Sequence, residues 1–353
     1  MTGDRVRHEL WTMEIPLPRA FGTPSGPFER VFAVVLRLRD KDGIEGVAYA
    51  QTTQPSPLPR VLAIMRALLE ERGGDLDRLI QIERLDSGVT GDQPGRSAVC
   101  AISMAAWDLL GRRRGLPCAA LWTGGAHRTD LDAYASAFFS DASAELMLEE
   151  AHALRQRGFR KAKMRLGLPG AQDEARYEAL CEVFPEPGSI ALETHFKFSP
   201  ARTREFMRGR SRPPMWIEDP APYHAIADAA CKELVAAGEV CISLSELLAL
   251  RQVGIDRLIL DAQYLGGPMR FLEAARTLQA LGCEIGSHIF AHESLHLLAA
   301  LPESLPVEVF DWWHPIFAEE PEPDSQGRLA VRGPGFGRTL NLENLQRYGR
   351  AVT

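Results

Sequence analysis

The chain has 353 residues, 45% hydrophobic and 25% charged, with a net charge of −7. That is the make-up of a soluble globular protein of one large or two smaller domains, long enough to bury a core without disulfide or metal staples. The negative charge argues against nucleic acid, no apolar run of about 18 residues is present to span a bilayer, and the start MTGDRVRHEL lacks the apolar stretch of a secretory signal, so no membrane partner and a cytoplasmic location are expected.

The first 50 residues read as strands joined by tight turns. Residues 31–39 (VFAVVLRLR) and 44–50 (IEGVAYA), joined by Asp40-Lys41-Asp42-Gly43, predict a hairpin. Residues 62–71 and 98–114 are helical in pattern; the second places Ile102, Ala105, Ala106, Leu109 and Leu110 on one face. Its end, Arg112-Arg113-Arg114-Gly115, reads as cations at a helix C-terminus with glycine just beyond. Six scattered cysteines without a CxxC pair read as buried free thiols.

From about residue 131 short apolar runs alternate with helical ones. Strands are expected at 131–137, 160–165, 189–193, 215–218, 240–244, 257–260, 284–287 and 307–310. Helices are expected at 144–156, 173–183, 225–237, 269–281 and 292–300. Such βα alternation predicts a parallel sheet closed into a (β/α) barrel, whose chemistry lies at the C-terminal ends of its strands. Those ends carry Lys163 and Arg165, Glu193 and His195, Glu218 and Asp219, Glu246, Asp261, His288, and Glu308 with Asp311. Glu193, Glu218 and Glu246, on successive strands, suit a hard divalent cation such as Mg²⁺ better than zinc. Asp261 beside His288 makes a carboxylate–imidazole pair suited to general-base work.

The ordered motifs carry a resemblance. Ala105-Ala106-Trp107-Asp108-Leu109-Leu110-Gly111, Lys161-Ala162-Lys163-Met164-Arg165, Trp216-Ile217-Glu218-Asp219-Pro220, Ser287-His288-Ile289-Phe290 and Gly333-Pro334-Gly335-Phe336-Gly337 resemble those of the enolase superfamily, in its mandelate racemase-like branch. The resemblance implies an α/β fold, a modified (β/α)₇β TIM-type barrel (residues 126–320), under an α+β capping domain (1–125) joined by a C-terminal segment (321–353). It implies that residues 21–25 and 51–56 close over a small carboxylate substrate, and that the protein is a homo-oligomer. It further implies Mg²⁺ on Glu193, Glu218 and Glu246, Lys163 on the substrate carboxylate, Glu308 bonded to the developing enediolate, and His288 with Asp261 as base or acid.

Two departures refine the expected reaction. Arg165 replaces a second lysine, and arginine stays protonated, so a base is expected on one face only. His195, two residues after Glu193, resembles the third-strand histidine of some sugar-acid dehydratases and suits protonation of a departing hydroxyl. The favoured reading is therefore a carbohydrate-catabolic lyase that dehydrates a sugar acid to a 2-keto-3-deoxy acid, with Lys197 as a further substrate contact. Racemisation, epimerisation and cycloisomerisation are the alternatives within the superfamily. Outside it stand a non-catalytic scaffold and a zinc hydrolase built on His292-Glu293-Ser294-Leu295-His296, which fits HExxH.

Overall fold

A computed structural model describes residues 5–23, 26–85, 89–139, 143–167, 172–208, 210–226 and 234–352. Strands β1 (Arg7–Thr23), β2 (Gly26–Arg39) and β3 (Glu45–Thr52) form an antiparallel sheet in that order. The β2–β3 hairpin is the one expected; Asp40 Oδ1 accepts from the Asp42 and Ile44 amides, and Gly43 takes the left-handed turn position.

Both faces of this sheet are buried. Val34, Leu36 and Leu38 pack on the helices Leu58–Arg72 and Gln93–Arg114. Val31, Ala33 and Val35 turn the other way, onto an aromatic cluster containing Phe290, Trp312, Trp313 and Phe317. This alternation, dictated by the period-two geometry of a strand, lays the cap across the mouth of the second domain.

Helix Gln93–Arg114 starts at Asp92, whose side chain accepts from the Gly95 amide, and ends at Gly115 with φ 65°. It lies so close to β3 that a Cβ on Gly46 would sit 2.2 Å from the Ala105 carbonyl oxygen. Asp108 on this helix is fully buried and accepts from the Val47 amide (2.9 Å), the Phe336 amide (2.8 Å) and Arg112 Nε (3.0 Å). One carboxylate thus ties helix, sheet and C-terminal loop together.

Eight parallel strands make the barrel: β4 (Asp130–Ser136), β5 (Ala162–Arg165), β6 (Ile190–Glu193), β7 (Ile217–Glu218), β8 (Val235–Ala237), β9 (Arg257–Leu260), β10 (Glu284–Ser287) and β11 (Val307–Val309). Consecutive strands pair from β4 to β10, and β11 returns beside β4. The remaining seam is bridged by Leu305 N to Ile285 O (2.8 Å) and Ile289 N to Glu308 Oε2 (2.7 Å). This is the expected (β/α)₇β barrel. Inside it, Tyr134, Ala191, Trp216, Ala236, Ile259 and Leu305 form an apolar plug, so the ionisable strand ends rest on a packed floor. After β12 (Arg328–Ala330), antiparallel to β4, the chain returns to the cap as β13 (Gly349–Val352), paired with β1.

The cap also grips the barrel through Glu83 of the short helix Ile82–Leu85. Its buried carboxylate accepts from Ser103 Oγ (2.5 Å) and from the Met269 (3.3 Å) and Arg270 (2.9 Å) amides at the N-terminus of the barrel helix Pro268–Ala280.

The fifth barrel strand departs from expectation. Residues 240–244 are not a strand; β8 lies earlier, within the span read as helix 225–237, and helix Leu244–Gln252 starts where that strand was to end. Val235-Ala236-Ala237 is fully buried on both sides, and so short a run carries no periodicity to tell strand from helix. Five cysteines are buried and free, as expected; Cys231 lies outside the described residues. No helix among the described residues is long and apolar enough to cross a membrane.

Candidate active site

Lys163 and Arg165 point into the barrel mouth from β5, while Ala162 and Met164 between and before them face the core. Lys163 Nζ is buried 2.8 Å from Glu308 Oε1, 3.2 Å from Glu218 Oε1 and 3.3 Å from Glu193 Oε2. Burial disfavours its charge, but Glu193, Glu218 and Glu308 outweigh that and hold the ammonium well above the usual lysine range. Glu308 is driven down to about 2: Lys163, His288 and the Ile289 amide overcome its burial. Glu218 goes the other way, to about 8, because burial and the neighbouring carboxylates Glu193 and Glu239 outweigh Lys163.

Glu239 follows β8 across Gly238, whose φ is 123° and whose missing Cβ would stand 3.0 Å from the Ile259 carbonyl oxygen. That turn aims a buried carboxylate into the site. Glu239 Oε1 lies 3.9 Å from His195 Nδ1, and Oε2 lies 3.5 Å from His288 Nε2 without a hydrogen-bond partner. Glu193, His195 and Glu239 each offer a ligand atom within 4.8 Å of the others. Glu246, expected as the third metal-facing carboxylate, is exposed instead on helix Leu244–Gln252, where its side chain accepts from the Ile242 amide (2.8 Å) and caps the first turn with Ser243.

His288 and Asp261 meet as expected, Nδ1 to Oδ2 at 2.7 Å. Asp261 has no solvent exposure, and its other oxygen accepts from the Tyr264 amide at 2.9 Å. The acceptor fixes the proton on Nδ1, which leaves Nε2 toward the cavity. Burial opposes the imidazolium, but Glu239, Asp261 and Glu308 raise it to about 10.

Arg165 is immobilised. It donates to the Ala137 carbonyl (3.1 Å) and Ser136 Oγ (2.9 Å), lies 3.5 Å from Glu193, and stacks over Phe139 (4.4 Å) and Phe310 (5.1 Å). His195 Nδ1 lies 3.4 Å from Glu193 Oε1, a contact that raises its pKa against burial. Its backbone has φ 50°. Among the described residues, the other non-glycine positive φ values are Phe138, Phe196, Asp219, Ile289 and Phe290. All follow the C-terminal ends of barrel strands, so the backbone strain is concentrated at the site.

Above these groups lies a cavity of about 530 Å³. Gln51, Thr52, Thr53 and Gln54 line it from the cap, and Gln51 is bonded through its backbone amide and carbonyl to the Gln263 side chain (2.9 and 3.1 Å). Phe21 packs at a tilt behind the lining residues Phe139 and Trp312; residues 24 and 25 lie outside the described residues. Lys197 is exposed and does not line the cavity, and Asp311 is exposed and paired with Arg157.

The sequence matches two family models: residues 146–344 match "Enolase C-terminal domain-like", and residues 1–122 match "Mandelate racemase / muconate lactonizing enzyme, N-terminal domain". The chain belongs to the enolase superfamily. Within it, the chain is 28% identical over 333 residues to the L-talarate/galactarate dehydratase of Salmonella typhimurium, covering 89% of this chain and 82% of that one. It is 24% identical over 362 residues to the 3,6-anhydro-alpha-L-galactonate cycloisomerase of Streptomyces coelicolor, covering 98% of each. The crystal structure of the Salmonella dehydratase liganded with Mg and L-lyxarohydroxamate has the same fold, with a TM-score of 0.87 over 99% of this chain and 95% of that one, at 24% identity.

For this enolase-superfamily chain the HExxH spacing has a different explanation. Glu293 pairs with the buried Arg338 (2.5 Å), His296 Nδ1 accepts from the Ala119 amide (3.3 Å), and His292 Nε2 lies 3.2 Å from the Glu319 carbonyl. The three side chains serve three separate contacts, and burial pushes His296 down to about 3. The glycines at 333–337 form a loop packed on the cap: a Cβ on Gly335 would stand 2.1 Å from Asp108 Oδ1. Glu239 is the residue that the sequence reading missed. The Gly238-Glu239 pair ending an apolar Val-Ala-Ala run was the signal that would have found it.

Proposed function

We propose that this protein is a Mg²⁺-dependent sugar-acid dehydratase, giving a 2-keto-3-deoxy acid. The division into a capping domain (1–125), a barrel (126–320) and a returning tail (321–353) belongs to the same reading. The observation that carries it is the His288–Asp261 pair facing Glu239, the buried carboxylate whose Oε2 has no hydrogen-bond partner.

Glu193 and Glu218, which end β6 and β7, and Glu239, two residues past β8, are hard oxygen donors that fit a magnesium ion, with His195 at their margin. Bound there, the ion would neutralise charge on the substrate carboxylate as the enediolate develops. Lys163 supplies a second positive charge to that carboxylate. His288, neutral, takes the α-proton on Nε2, and the C–H electron pair moves into the enediolate. Its collapse expels the β-hydroxyl, which leaves as water with a proton from His195, or from His288 if His195 only orients Glu193. The enol then takes up a proton at the neighbouring carbon to become the keto acid. Glu308, whose Oε1 lies 2.8 Å from Lys163 Nζ and whose Oε2 accepts from the Ile289 amide, orients the ammonium. Arg165, pinned and permanently charged, holds Glu193 in place and leaves the opposite face without a base.

The cycloisomerase relative supports a second reading, proton abstraction without net loss of water. Incubation with Mg²⁺ and a panel of sugar acids in D₂O separates the two. Keto acid formation supports dehydration, and α-deuterium uptake without keto acid supports the second reading.

A further inference from the structure

We propose that the site selects a monocarboxylate whose far end is uncharged and lies against an aromatic wall, and that it discriminates against dicarboxylates. This rests on the reading above, in which Lys163 and the acidic cluster engage one carboxylate at the strand ends.

Two kinds of surface line the cavity. Phe28, Phe139, Phe310, Trp312 and Trp313 form an aromatic wall, with Phe139 and Trp312 stacked at 5.2 Å and 12°. The rest of the lining includes neutral polar groups, among them Thr52, Gln54, Gln93 and Tyr264, beside the apolar Leu58, Val61 and Pro94. Lys163 lies buried beneath the lining, against Glu193, Glu218 and Glu308; among the described residues that line the cavity, the cations and imidazoles are Arg165, His195 and His288. All three stand at the strand ends, where the first carboxylate is engaged. Arg165 is already committed to Glu193, Ala137 and Ser136 between two rings. Arg19, on the cap, stacks over Phe21 at 4.2 Å and does not line the cavity.

A second carboxylate would therefore lose its hydration against ring faces whose quadrupole is negative, with no further cation among the described lining residues to receive it. A neutral chain fits both surfaces, with C–H groups on the rings and hydroxyls toward the glutamines and threonine.

The test is calorimetric binding to the full-length protein in saturating Mg²⁺, with matched pairs: galactonate against galactarate, gluconate against glucarate, and mandelate as a ring-bearing monoacid. At least one monoacid is expected to bind about tenfold or more tighter than every diacid, and Trp312→Leu is expected to weaken it by about tenfold. A diacid that binds as tightly as the best monoacid, failure of every monoacid to bind, or an unchanged affinity in Trp312→Leu would overturn the proposal. Keto acid detection on the same samples separates the two claims. Galactonate or gluconate that binds tightly and exchanges its α-proton but loses no water sinks the dehydration and leaves this selectivity standing. Efficient dehydration of galactarate does the reverse.

Discussion

Glu239 Oε2 faces His288 Nε2 at 3.5 Å, so the carboxylate that completes the acidic cluster also faces the nitrogen assigned to proton abstraction. Metal binding and base strength are thereby coupled through one side chain. In the metal-free protein that carboxylate, with Asp261, favours the imidazolium.

His288→Asn is expected to lower α-proton exchange and turnover by about 10²–10⁴-fold, the usual contribution of a positioned base. Asp261→Asn, which keeps the shape and loses the charge, is expected to cost nearly as much because the imidazole loses its tautomeric anchor. Proton-exchange rates followed by NMR check both. Retention of exchange in His288→Asn would remove the imidazole from the mechanism.

The proposed mechanism uses one base, His288, with the fixed Arg165 on the other face. A 2-hydroxy acid recovered after partial turnover is expected to keep its α-configuration, because Arg165 cannot return a proton from the other side. Chiral chromatography of residual substrate reads this out; an epimer accumulating with time contradicts it.

Glu83 gives the fold a pH dependence independent of catalysis. Burial raises its carboxyl from 4.5 to about 7, against the Ser103, Arg270 and Met269 hydrogen bonds. A raised folded pKa means that its contribution is full below about pH 4.5 and is lost as pH rises through about 7. The loss is on the order of 3 kcal/mol. Glu83→Gln should flatten that limb of the stability curve, measured by denaturant unfolding of both proteins between these pH values. Parallel curves would show that Glu83 ionises normally.

Asp108→Ala is expected to destabilise the protein by about 3–5 kcal/mol, since it removes the carboxylate partner of Arg112 and leaves the Val47 and Phe336 amides unpaired at the cap–tail junction. Chemical denaturation measures the loss. A change below about 1 kcal/mol would mean that water or neighbouring groups replace the carboxylate.

Most of the barrel was legible because its strands are apolar runs that end in ionisable residues. Lys163, Glu193, Glu218, Asp261, His288 and Glu308 lie where that pattern puts them. The fifth strand was not legible. Val235–Ala237 is three small apolar residues beside an alanine-rich stretch, and nothing local marks it as β. Reading it as helix moved the expected strand onto 240–244 and the expected third carboxylate onto Glu246, seven residues past Glu239, the carboxylate that faces the site. The HExxH match, set aside as an alternative, arises for another reason: its spacing is set by helix geometry, and the same spacing lets Glu293 and His296 face Arg338 and Ala119.

The placement of the third carboxylate is tested most directly by magnesium calorimetry on the native protein, Glu239→Gln and Glu246→Gln. Glu239→Gln is expected to weaken magnesium binding by at least about 10²-fold, while Glu246→Gln binds as the native protein does. The reverse pattern, with loss in Glu246→Gln and none in Glu239→Gln, would contradict the account.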